Sequence, residues 1–201
     1  MSTLATNTTA QPATPTAAID PALAELHDGA LRLVTLSLDQ RIRLAEACAA
    51  RTIGVAEAWV EAACRAKRIP SDSPARAEEI ATGPVSLLRY LRLLVRTLSD
   101  IRRSGQPHLP GRIRSEHGQL RVPVFPARGL FDKLLFNPIK AETWLQPGVS
   151  INNVFGDNIK VLNGDASRQA LVTAVMGAGN VSAIPVTDAV AKILQENSAV
   201  L

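Results

Sequence analysis

The chain has 201 residues, 46% of them apolar and only 3% aromatic, with 22 basic and 18 acidic side chains. That is about one domain's worth of chain with enough apolar content for a core; it excludes a wholly disordered protein, and two cysteines exclude a disulfide framework. The basic excess is confined to residues 89–121, where eight basic groups meet two acidic ones, and the scarcity of aromatics argues against a base-stacking nucleic-acid platform.

Residues 1–19 carry no charged side chain and are dominated by Ala, Thr and Pro. Lacking a basic start and a continuous apolar run, they fit neither a secretory signal nor a transit peptide and read as a disordered leader. No apolar run approaches the ~20 residues of a membrane span, so no membrane partner is expected, and the absence of an export signal together with unpaired cysteines points to the cytoplasm.

Residues 20–104 read as helical. Asp20-Pro21 is an N-cap pattern with proline at the first helical position, followed by Leu23, Leu26, Ala30 and Leu33 at helical spacing. Ser37-Leu38-Asp39-Gln40 is a capping box opening a long alanine-rich helix over 41–68, or two helices meeting near Gly54, ended by the Pro70–Pro74 cluster. A further helix from about Pro84 to Arg102 places Leu87, Leu88, Leu91, Leu94, Val95 and Leu98 on one side and Arg89, Arg92, Arg96 and Arg103 on the other.

Residues 105–169 lose this periodicity. Four prolines and four glycines fall within 105–129 around short β-like pieces at Leu120–Val122 and Val124-Phe125, and turns at Asn137-Pro138, Pro147-Gly148 and Asn163-Gly164 follow. The expectation is extended strands and loops crossing the surface of something larger.

Residues 170–201 read as the start of a dinucleotide-binding domain. Ala170–Met176 suits a buried parallel strand and Gly177–Asn180 a tight turn. Pro185–Glu196 is an amphipathic helix with Val186, Val190, Ile193 and Leu194 inward and Asn197 as C-cap, and Ser198–Leu201 opens a second strand. One crossover whose second strand is only begun makes an incomplete unit, and the expectation is a truncated chain.

Gly177-x-Gly179-x-x-Ser182 sits where a phosphate-cradling fingerprint would sit, although an ordinary strand–helix turn has the same form. Cys48 and Cys64 lie mid-helix, where little lowers a thiol pKa, and read as structural. His27, His108 and His117 stand apart from one another and read as surface or loop residues. The arginine stripe from Arg89 to Arg103 reads first as a solvated face or subunit contact, and Arg112, Arg114 and Arg121 join it only in a second reading. That alternative is a non-enzymatic basic module that docks an acidic partner or nucleic acid.

Residues 176–201, with GAGNVSAIPVTDA at their centre, resemble the aldehyde dehydrogenase superfamily, as do Leu38-x-x-Arg41-x-x-Leu44 and the Ser86–Val95 segment. The resemblance implies an α/β fold in which amino-terminal helices and an oligomerisation hairpin precede a Rossmann-like sheet. It implies an NAD(P)-dependent oxidoreductase, a homo-oligomer when intact, acting on a small-molecule aldehyde. It makes Asn180 the oxyanion donor and sets Met176, Gly177, Ala178 and Gly179 beside the NAD or NADP. The family's nucleophilic cysteine and general-base glutamate would fall after Leu201, so these 201 residues are expected to be inactive alone.

Overall fold

The computed structural model describes residues 15–156, 159, 162, 170–177 and 180–201, with Phe131 described by its backbone alone. The architecture is mixed α/β, with helices in the first half and two small sheets in the second.

Helix α1 (Thr16–Val34) begins four residues before Asp20, so Pro21 lies inside it and does not open it. Proline costs a helix the donor to the carbonyl four residues back. Here that carbonyl belongs to Ala17 in an exposed first turn, where solvent can reach it and the loss is small. The helical part therefore takes in the last residues of the expected leader, whose first fourteen residues lie outside the described ones.

The expected capping box opens α2 (Leu38–Lys67): Gln40 N–H donates to Ser37 Oγ at 3.3 Å and Ser37 N–H to Gln40 Oε1 at 2.8 Å. One helix runs through Gly54 without a break. It ends at Arg68, which takes a left-handed conformation (φ 56°) and lets Ile69 N–H return to the Cys64 carbonyl at 2.9 Å. Arg41 is fully buried and closes the preceding helix, donating to the carbonyls of Leu33 (2.9 Å) and Leu36 (3.2 Å). The negative end of α1 thus receives a cation, while burial lowers the Arg41 pKa.

Helix α3 (Arg76–Ile80) leads through a π-type turn over Ala81–Val85 into α4 (Ser86–Ser104). Helices α2 and α4 pack together, and the leucine stripe lies largely where its spacing put it, with Val95 packed against the core and Leu88 half-buried outside it. Leu87, Leu91, Leu94 and Leu98 join Ile42, Ala45 and Ile101 in the core, and Leu162 and Leu194 close it.

The middle of the chain forms an antiparallel sheet in the order β1 (Arg114–Glu116), β2 (Gln119–Phe125), β3 (Ala141–Trp144). His117 (φ 51°) and Gly118 (φ 78°) make the β1–β2 turn, the paired left-handed conformation that tight hairpins require. The two short pieces expected around Pro123 are one strand, and a register shift between Pro123 and Phe125 admits the proline into a central strand. A short helix, α5 (Leu130–Leu135), replaces the expected strand or loop there.

At the end of the chain β4 (Leu171–Thr173) and β5 (Ser198–Val200) pair in parallel through α6 (Ile184–Leu194). Helix α1 lies against both strands and α6 against β5. The strand expected over Ala170–Met176 is shorter and only partly buried, with Leu171 half exposed, and among the described residues β4 has a paired neighbour on one side only. Leu194 is buried as expected and Asn197 takes the left-handed conformation (φ 57°), but Val186 faces outward.

Leu91 is fully buried between α2 and α4, and Leu91→Ala is expected to lower the unfolding free energy by about 2–5 kcal/mol. In urea titrations the exposed Leu44→Ala serves as the control, with a change of ~0.5 kcal/mol or less.

Candidate functional site

The turn between β4 and α6 lies at the carboxyl end of a parallel strand, where open α/β sheets offer ligands a crevice. Hydrogen bonds from Leu201 N–H to the Thr173 carbonyl and from Val175 N–H to the Leu201 carbonyl, both 3.0 Å, extend the β4–β5 pairing. The Thr173 and Ser198 hydroxyls meet at 2.6 Å. Beyond this point Met176 is 93% exposed and Asn180 faces solvent. Ala178 and Gly179 lie outside the described residues.

Gly177 has a steric reason for being glycine. A Cβ built on it would stand 2.8 Å from Pro185 Cβ and 2.9 Å from Pro185 Cγ. Pro185 is in the first turn of α6, so the missing side chain lets strand and helix approach each other, and the space is filled by protein. Ser182, the third position of the glycine pattern, accepts a hydrogen bond from Trp59 Nε1 at 2.8 Å. Its hydroxyl also lies 3.5 Å from where a Gly83 Cβ would be. The turn is therefore seated on α2 and on the π-type turn before α4.

Both cysteines are free. Cys64 is buried and Cys48 half-buried, both on α2. His27 is exposed, and His117 occupies the hairpin turn. His108 does have a partner: its Nδ1 lies 3.2 Å from Asp100 Oδ1, across a spacing of eight residues. Among the described residues no group of His, Cys, Asp and Glu is placed to hold a metal ion, and no helix is long and apolar enough to cross a membrane.

The arginine stripe of α4 is used largely within the chain. Arg89 pairs with the buried Asp132 at 2.6 Å, and its guanidinium lies 5.8 Å from the Phe125 and Phe136 ring centres. Arg96 donates to the Arg128 carbonyl, Arg102 pairs with Asp39, and Arg103 meets Asp100 at 2.8 Å. Asp100 also receives Arg128 and the His108 backbone N–H. Burial alone would raise the Asp100 pKa, but the His108 hydrogen bond, the Arg128 charge and the His108 side chain outweigh it and hold the carboxyl below its ordinary value. Sequence reasoning passed over both aspartates. The available signal was a charge at Asp100 between the core positions Leu98 and Ile101.

No protein-family model, no curated protein and no solved structure matches the chain. The comparisons therefore link it to no family, the aldehyde dehydrogenases included.

Two outcomes test this geometry. Gly177→Ala is expected to destabilise the chain by about 1–3 kcal/mol through overpacking, and Pro185→Gly in the same chain is expected to cost less than the two changes summed, read as coupling in a double-mutant cycle. For Asp100 the unfolded chain takes up its proton first as pH falls, because the folded carboxyl titrates lower. The stabilisation is present above pH ~4 and is lost as pH falls through the folded value. Asp100→Asn is expected to flatten urea stability against pH in that acid range.

Proposed function

We propose that these residues are the amino-terminal portion of an aldehyde-dehydrogenase-like, NAD(P)-dependent oxidoreductase acting on an aldehyde. The observation that carries this reading is the parallel β4–α6–β5 unit with Asn180 exposed in the turn at the carboxyl end of β4. That is where the resemblance of residues 176–201 sets the oxyanion donor and the edge of the nicotinamide site.

The exposed Met176 and Asn180 leave the end of β4 open to a ligand. Gly177 offers no phosphate cradle, since Pro185 occupies the space beside it, and the Ser182 hydroxyl is engaged by Trp59. A bound dinucleotide would supply the hydride acceptor, with its nicotinamide end near Met176 and Asn180. The Asn180 side-chain amide is a neutral donor suited to developing negative charge on an aldehyde oxygen. Forming the covalent adduct needs a thiolate, and Cys48 and Cys64 on α2 are not placed for it. The 201 residues alone are therefore proposed to bind cofactor without turning over aldehyde, and to assemble as a homo-oligomer in the intact enzyme.

Thermal unfolding with and without NAD and NADP tests the reading. Ligand at a hundred times its Kd stabilises the folded state by about 2.7 kcal/mol, so one dinucleotide is expected to raise the midpoint and Asn180→Ala to leave the fold intact. An unmoved midpoint with both dinucleotides at millimolar concentration would overturn the proposal.

A further inference from the structure

A cleft of ≈ 750 Å³ opens elsewhere, between the β1–β3 sheet and the segment that runs from the end of β2 through α5. Five cationic side chains line it: Arg112, Arg114, Arg128, Lys133 and Lys140. They come from three stretches of sequence, so no single helical stripe produces the convergence. Its floor is apolar, made by Pro123, Phe125 and Pro126.

Among the described residues the one carboxylate in the lining, Glu142, is shared between Arg114 and, at 3.9 Å, Arg121. Arg128 is paired with Asp100. Arg112, Lys133 and Lys140 make no ion pair among the described residues. A second cavity of ≈ 220 Å³ shares Pro110, Pro123 and Arg128 with the cleft and adds Arg96, His108 and the Asp100 carboxylate that pairs with Arg128. Like charges gathered on one concavity repel one another and focus a positive potential into it, which an anion relieves. The volume is within the ~300–1,000 Å³ of small-molecule pockets.

We propose that this cleft binds a soluble, polyphosphate-bearing small molecule. Phosphates would meet Arg112, Lys133 and Lys140, and an apolar or ring portion would lie over Pro123, Phe125 and Pro126. Concavity and an apolar floor favour a compact ligand over a nucleic-acid duplex, whose contacts spread along a convex track of phosphates. The cleft shares no lining residue with the β4–α6 turn, so the inference is independent of the proposed dinucleotide site.

Calorimetric titration of the full chain with ATP and with tripolyphosphate tests it. Both are expected to bind, ATP more tightly through the floor. Lys133→Glu with Lys140→Glu, both exposed positions, is expected to weaken both ligands at least about tenfold, ~1.4 kcal/mol, with the unfolding midpoint in buffer unchanged. Absence of binding at millimolar ligand would overturn the proposal, as would equal affinity in the double variant. So would duplex DNA or phosphoinositide vesicles binding through these lysines while ATP and tripolyphosphate do not. A dinucleotide-induced rise in midpoint that survives the double variant belongs to the β4–α6 turn, and one lost with it belongs to the cleft.

Discussion

Asp100 and Asp132 are almost sealed from solvent, at 2% and 4% exposure, and a carboxylate in that position keeps its charge only when it is paired. The pairing runs in both directions across one interface. Helix α4 offers Asp100 to Arg128 of the segment that follows β2, and offers Arg89 to Asp132 of α5. Asp132 also receives the Ala127 N–H at 3.1 Å, and Asp100 the His108 N–H at 3.4 Å. Three segments of irregular or short structure, the loop at His108, the Ala127-Arg128 stretch and α5, are thereby held to one helix. Removing Asp100 would leave the Arg103 and Arg128 guanidinium groups facing each other, and removing Asp132 would leave Arg89 without its ion-pair partner, so the exchange constrains position as much as it adds stability. The arginines are part-exposed, which keeps the energetic share of each pair below that of a sealed one.

The helical half was largely readable because its signals are local. The Ser37–Gln40 capping box and the leucine spacing of α4 appear in the structure as the sequence has them. What escaped depended on partners far along the chain. Gly54 does not break α2, since it sits on an exposed face where nothing presses on it and the helix is supported by packing against α4 elsewhere. Helix α5 is six residues long, below the length at which a 3.6-residue period is recognisable, and it is held by Asp132. The outward Val186 shows that an apolar residue in an amphipathic helix need not reach the core when the sheet beneath has two strands.

At the β4–α6 turn the residue pattern was legible but its structural duties were not. Gly177 and Ser182 stood out as members of a glycine-turn pattern, and both have structural duties, one towards Pro185 and one towards Trp59. A pattern of residue types cannot distinguish a backbone that yields to a phosphate from one that yields to a proline. The arginines of α4 present the same ambiguity: their spacing is that of a solvent-facing stripe, and only the positions of Asp100 and Asp132 reveal an internal seam.

The hydrogen bond from Trp59 to Ser182 equips the protein with its own optical probe. The chain has two tryptophans, and they occupy different territories. Trp59 is partly buried against the β4–α6 turn, whereas Trp144 lies half exposed on the sheet with the Arg121 guanidinium 3.7 Å from its ring centre. Trp59 emission should fall at shorter wavelength and report on events at the turn. Trp144 should emit to the red and be quenched more readily by solutes that reach the sheet. With one indole replaced by phenylalanine at a time, fluorescence alone assigns a perturbation to one half of the molecule or the other.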